Sequence, residues 1–296
     1  EFRRVLFRSE VQRQAVIAAR ESAFTAGWTG GRVLPDVIQT RVRRWHFEHP
    51  GWMDPTGNEA VPSGEDAVTL RISEARPPGT AAGAVETAGP VDHVTGLRLL
   101  KSFTLDPDTG ALGVQQRMVN ASPNVSRHNL HDRTLCPAGG FLLLPLAKQS
   151  RHRAGWAVLR ATEAGSAFDG EQPASPNVAV SGDLLVAQAA GAPGKLGADT
   201  GAGWMAYVRG RLLFMKFFKT WPGAALPGEG HAVEFSWNDQ IAALELFSPL
   251  AALQPGQAFD FPELWQLIEL KTPVTTLAEA RAAAKKVPAS PFAPRK

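Results

Sequence analysis

Two glutamates set the chemistry this chain can carry. Residues 231–247, HAVEFSWNDQIAALELF, read as two short strands around a two-residue turn at Asp239-Gln240. With that turn, Glu234 lies directly across from Glu245. Opposed residues on neighbouring antiparallel strands have Cβ atoms about 4.5–5.5 Å apart, and like charges there repel. The pair therefore needs a cation, a shared proton or a function.

Lys216 is a natural counter-ion. It lies in LLFMKFFK, residues 212–219, where both faces are apolar, as in a strand at the centre of a sheet. A charge placed there must find a partner. The alternative is that Lys216 snorkels to a sheet edge. Residues 128–133, HNLHDR, add His128, His131 and Arg133. On one strand, residues 128 and 131 point to opposite faces, so they do not chelate one metal together. One of them facing a pocket is the functional reading; a solvated surface pair is the other. His46 and His49 meet the same objection. His231 opens the Glu234 strand, either as a site residue or as a loop residue. Trp204, Trp221, Trp237 and Trp265 can stack on sugar faces. Trp237, in phase with Val233 and Phe235, reads as core, and Trp221, followed by Pro222 in a loop, is the better platform.

The elements that must hold these residues are short strands. Residues 67–72 alternate apolar and polar and read as a strand. Residues 96–105 and 111–119 pair around a Pro- and Gly-containing turn at 106–110. Further strands are expected at 129–136, 140–146 and 155–161, then a strand pair within 178–188 around a Gly-Asp turn. Strands at 204–208 and 212–219 flank a turn at Arg209-Gly210, and 258–270 closes the sheet. Residues 76–90 read as a loop, 24–62 as loops and short edge strands, and 10–20 as a short helix or strand fragment. The Asn-Ala-Ser and Asn-Val-Ser patterns at 120–122 and 124–126 read as turns. Residues 275–286 form the one convincing helix, with Thr276 as N-cap and Glu279 at capping-box spacing. Frequent turns and the absence of βαβ units indicate an all-β antiparallel sandwich.

Bulk properties narrow the classes. Residues 1–9, EFRRVLFRS, match the translation of a sequencing adapter and are excluded from the fold. They carry three Arg and one Glu, so 31 basic and 28 acidic residues become 28 and 27, and the net charge falls from +3 to +1. The native N-terminus is expected to be missing, which leaves the compartment open. No basic stripe points to nucleic acid, and no apolar run approaches the ~18 residues of a membrane helix. The single cysteine, Cys136, excludes an internal disulfide and a cysteine metal site. The Ala, Gly, Arg and Pro bias suits a bacterial genome. No phosphate loop, dinucleotide fingerprint, His-Glu-x-x-His or nucleophile elbow is present.

Four segments resemble the galactose mutarotase-like superfamily in order and spacing: TGLRLLKSFTLDPDTGAL, VNASPNVSRHNLHDRTLCPAGGFLLLPL, KLGADTGAGWMAYVRGRLLFMKFF and VEFSWNDQIAALELFSPLAALQPGQAFDFPELWQL. The resemblance is to a branch of uncharacterised bacterial proteins and covers residues 90–270. In that branch a glutamate strand ends in an asparagine turn, here Glu234 and Asn238, and a second glutamate strand, here Glu245, runs into a corner at Pro249-Leu250. Ala243, Ile241 and His131 depart from the branch pattern. The resemblance implies a β-supersandwich, with one domain over residues 10–272 and a helix and basic tail over 273–296. It implies a sugar or glycan partner, with no cofactor and no metal.

It also implies aldose 1-epimerase chemistry: a carboxylate takes the anomeric hydroxyl proton and a histidine protonates the ring oxygen. Facing glutamates can raise one carboxyl pKa, and an acid and a base near the working pH are what the reaction needs. Glu234 or Glu245 would be the base and His131 the acid. His128, Arg133, Lys216, Trp221, His231 and Asn238 would contact the sugar. The rival readings are a carbohydrate-binding sandwich without catalysis, a structural β domain whose glutamates are simply paired, and a glycosidase.

Overall fold

Apolar residues at every second position, punctuated by glycine and proline, build strands throughout the chain. The computed structural model describes residues 69–74, 83–92, 95–106, 109–162, 165–226 and 230–293. The segments 10–20 and 24–62, with His46 and His49, lie outside the described residues. In chain order the strands begin with β1 (Thr69–Glu74), β2 (Gly83–Val91), β3 (Leu97–Leu105), β4 (Leu112–Asn120), β5 (Ser126–His128) and β6 (His131–Pro137). Next come β7 (Phe141–Pro145), β8 (Trp156–Thr162), β9 (Gly165–Asp169), β10 (Val178–Ser181), β11 (Leu184–Gln188) and β12 (Gly194–Ala198). The last are β13 (Trp204–Phe218), β14 (Val233–Trp237), β15 (Ile241–Phe247), β16 (Ala251–Leu253) and β17 (Ala258–Val274), followed by helix α1 (Leu277–Ala284). The fold is all-β and antiparallel, with one short C-terminal helix. The chain divides into two compact units, Glu1–Thr134 with Ser248–Gln266, and Leu135–Phe247 with Leu267–Lys296.

In the first unit, β1, β2, β3, β4 and the start of β17 lie side by side in that order. Lys101 pairs with Gln116 and Phe103 with Val114 across β3 and β4. Val114 pairs with Glu263, and Gln116 with Phe261, across β4 and β17. Because side chains alternate, one face carries Phe103, Val114, Met118, Phe261 and Trp265, all buried. Lys101, Gln116 and Glu263 share that face. A ribbon of β5 and β16 completes the unit. The turn reading of residues 120–124 holds: the Asn120 oxygen accepts from the Ser122 amide at 2.9 Å, and its amide donates to the Asn124 carbonyl at 2.7 Å.

In the second unit, β17, β13, β7, β11 and β10 form one sheet order, and β15, β14, β12, β8 and β9 another. Phe141, Leu142, Leu143 and Leu144 on β7 are buried on both faces, each contributing about 1.5–3 kcal/mol. Helix α1 packs on β7, β11 and β13 through Ala280 and Ala283. Thr276 caps it: its hydroxyl accepts from the Glu279 amide at 3.2 Å, and the Glu279 carboxylate accepts from the Thr276 amide at 3.1 Å.

The expected turn around Gly210 holds: β13 folds back on itself, so that the Phe218 amide donates to the Gly203 carbonyl at 2.9 Å. Gly210 takes a positive φ of 58° at the tip, and residues 209–212 are exposed there between two buried arms. Three other expectations are corrected. Residues 83–91, read as part of a loop, form β2. The pairing with β3 is interrupted between Ala88 and Val91, where Gly89-Pro90 weakens the pattern. His128 and His131 are on two different strands, β5 and β6, so alternation along one strand does not relate them. Lys216 does not snorkel: it is fully buried on the returning arm of β13.

Candidate functional site

The β14–β15 hairpin has the expected register. Trp237 pairs with Ala242, Ser236 with Ala243, and Glu234 with Glu245. The Asn238 side-chain oxygen closes the turn, accepting from the amides of Gln240 and Ile241 at 2.8 Å each. The Asn238 oxygen therefore holds the turn, whatever its amide does. Val233, Phe235 and Trp237 point into the core, and the Trp237 indole donates to the Ala192 carbonyl at 3.0 Å. The other face of β14 presents Glu234 and Ser236.

The cation beside Glu234 comes from β12, which flanks β14 on its other side. Gly197 pairs with Glu234 and Lys195 with Ser236, so Lys195 approaches Glu234 diagonally. Its ammonium is 2.5 Å from Glu234 Oε2. That attraction offsets the cross-strand repulsion. Glu245 is 5% exposed and its Oε1 accepts from the Ser236 hydroxyl at 3.0 Å. Lys216 lies close enough to Cys136 to pull its thiol pKa down. Burial is the larger effect and pushes that thiol up to about 12.

His231 sits over the same row. Its ring occupies the space that a Cβ on Gly197 would fill, which is why β12 carries glycine there. The ring stacks on His152 with centroids 4.6 Å apart and planes 17° apart, and meets the Phe168 ring edge-on at 4.5 Å. Its Nδ1 is 3.8 Å from Glu234 Oε1. The side chain is 1% exposed, and neither ring nitrogen has a hydrogen-bond partner. The second unit thus brings Lys195, His231, Glu234, Ser236 and Glu245 onto one sheet face. Sequence reasoning named three of these. Lys195 and Ser236 were missed, as were His152 and Phe168, which enclose His231.

The remaining expected residues are spread through the two units. In the first unit, His131 is half-buried at the start of β6, and Arg133 is two residues along it. His128 ends β5, with Nδ1 2.9 Å from the Ser126 hydroxyl. Trp221, in the second unit, follows β13 in a half-buried loop with the Lys219 ammonium 5.5 Å from its ring. Lys216 has no exposed surface and so offers a ligand no contact as it stands.

The first unit holds a second polar cluster that was not foreseen. Lys101 Nζ is 3.3 Å from Asp132 Oδ1. The Gln116 amide donates to Asp132 at 3.1 Å and to Glu263 at 2.7 Å. The Trp265 indole donates to the other Glu263 oxygen at 2.9 Å. All five residues are at most 5% exposed. The signal was available: Lys101, Gln116 and Glu263 each fall in phase with an apolar face. Among the described residues no group of three or more His, Cys, Asp or Glu is placed to hold a metal ion, and no helix is long and apolar enough to cross a membrane.

No protein-family pattern and no curated protein matches the chain. Similar solved structures include a galactose mutarotase-like protein from Lactobacillus casei. It is 11% identical, with TM-score 0.45, covering 67% of this chain and 73% of that one. A galactose mutarotase related enzyme from Lactobacillus acidophilus is 8% identical, with TM-score 0.42, covering 69% and 73%. The Slr1438 protein from Synechocystis is 11% identical, with TM-score 0.43, covering 67% of this chain and 65% of that one.

Proposed function

We propose that the protein binds a sugar against the β12–β14–β15 face and acts there as an aldose 1-epimerase type of acid–base site. The observation that supports this most is the Glu234–Glu245 pair, opposed across two strands on a half-buried face with Lys195 against one member. A charged, hydrogen-bonding floor of this kind suits a polyhydroxyl ring. In the reaction a glutamate takes the proton from the anomeric hydroxyl while a histidine gives one to the ring oxygen. The C1–O5 bond breaks, C1 rotates, and the reverse transfers close the other anomer. No cofactor enters, and protons balance over the cycle. Glu234 and Glu245 are the candidate bases on this face.

Binding without turnover is the second reading. It is favoured by Lys195 already occupying Glu234 Oε2. That leaves Oε1 to accept a hydrogen bond from a sugar hydroxyl, which needs no proton transfer. NMR measurement of anomer interconversion with a panel of aldoses separates the two. Catalysis predicts acceleration that falls about 10²–10⁴-fold in Glu234→Gln or Glu245→Gln. Saturable binding without acceleration leaves the binding reading and removes the enzymatic one.

A further inference from the structure

A buried imidazole with no hydrogen bond calls for an explanation, because an unsatisfied buried polar group costs about 1–3 kcal/mol. His231 is such a group: both ring nitrogens are unpartnered at 1% side-chain exposure. Glu234 Oε1 lies 3.8 Å from its Nδ1. That gap is under 1 Å longer than a good hydrogen bond of about 2.9 Å. What holds Glu234 away from it is Lys195, at 2.5 Å from Oε2. The ring itself has nowhere to go, fixed by His152, by Phe168 and by the Cβ-free surface of Gly197. Of the three groups, Lys195 has the most exposed side chain, at 32%, against 13% for Glu234.

We propose that Lys195 is a ligand-binding residue and that Glu234 is exchanged between two holders. Without ligand, Lys195 holds the carboxylate. When the Lys195 ammonium turns to a ligand oxygen, Glu234 moves to the His231 Nδ1–H, which donates to Oε1. The vacant nitrogen is then the second holder, and its unmet hydrogen bond in the open state is the cost that makes the exchange reversible. The carboxylate never lies uncompensated opposite Glu245, because one donor replaces the other. The ligand class follows from the groups: a neutral hydroxylated ring, whose oxygens accept from an ammonium. This last point rests on the sugar reading above, whereas the exchange between holders does not.

The test therefore starts without sugar, by NMR of the His231 ring. In Lys195→Met the exchange predicts a slowly exchanging Nδ1–H proton signal that the wild type lacks, and that disappears again in Lys195→Met/Glu234→Ala. Identical His231 ring signals in wild type and Lys195→Met overturn the proposal. His231→Phe is an independent check, because a phenyl ring keeps the stack and removes the second holder. Lys195 should then keep Glu234 permanently, and its ammonium protons should exchange more slowly than in the wild type. Unchanged exchange counts against the proposal. With a bound sugar, Lys195→Met should weaken affinity about tenfold or more, the loss of one charge-assisted hydrogen bond. If the His231 signal appears in Lys195→Met but no sugar binds the wild type, the exchange stands and the sugar reading falls. If sugar binds equally well to wild type and Lys195→Met, Lys195 is not the ligand-binding residue and the proposal is lost.

Discussion

Lys101 lies 5.8 Å from the centre of the Phe103 ring and 3.3 Å from Asp132, with 1% of its side chain exposed. Removing one partner of a buried pair leaves the other charge uncompensated. Lys101→Met should therefore destabilise the protein by about 3–5 kcal/mol. Equilibrium urea unfolding reads this directly; a loss under about 1 kcal/mol would mean that Asp132 is held by its other donors, Gln116 and Thr134. Cys136 makes a chemical prediction. Its thiol is pushed up to about 12 by burial, against the pull of Lys216. Since only the thiolate is nucleophilic, the half-buried Cys136 should react with a thiol reagent at pH 8 far more slowly in native than in denatured protein. Rapid modification of the native chain would place Cys136 in a different environment. At this scale the sequence was readable where a polar residue broke an apolar phase, as at Lys101, Gln116 and Glu263, and of the two readings of Lys216 the buried charge is the one observed. It was unreadable where the partner came from a distant strand. Nothing near Glu234 in sequence points to Lys195.

The β14–β15 hairpin was legible because a two-residue turn fixes register, and a one-residue slip would turn every core residue to the other face. Strand β12, GKLGA, was not legible: two of its five residues are glycine, and its pairing is long-range. Gly197 is there for His231. Gly197→Ala should force the His231 ring off the sheet, at a cost of about 1–3 kcal/mol for overpacking. Thermal unfolding measures it, and an unchanged melting temperature would show that the ring yields freely. Helix α1 was foreseen down to its cap, because capping residues act locally. Thr276→Ala should cost about 1 kcal/mol, detectable as lost amide protection over α1. The cap is also pH-dependent. Hydrogen bonds from the Thr275 and Thr276 amides and hydroxyls hold the exposed Glu279 carboxyl below its ordinary range. A depressed carboxyl contributes stability that is complete above the unfolded pKa and is lost as pH falls through the folded one. Amide protection in α1, relative to the intrinsic exchange rate, should thus be flat through neutral pH and fall only below the ordinary glutamate range; a fall already near neutrality would contradict the cap.

The two units interleave along the chain, changing over inside β6, between β15 and β16 at Phe247–Ser248, and inside β17. That explains why no Pro- or Gly-rich boundary was visible in the sequence, although the all-β antiparallel class was plain from strand length and turn frequency. Each unit carries one polar cluster. Lys101, Asp132, Gln116 and Glu263 are sealed in the first, which suits a structural role. In the second, Lys195 and Glu234 keep part of their surface exposed, which suits ligand contact. The most direct measurement is calorimetric titration of a panel of free aldoses into wild type, Glu234→Gln and Asp260→Asn. Asp260 is an exposed partner of Arg117 in the first unit and serves as a control. The account predicts saturable binding of at least one aldose to wild type and Asp260→Asn, weakened about tenfold or more in Glu234→Gln. Equal affinity across all three proteins, or no binding by any, would contradict it.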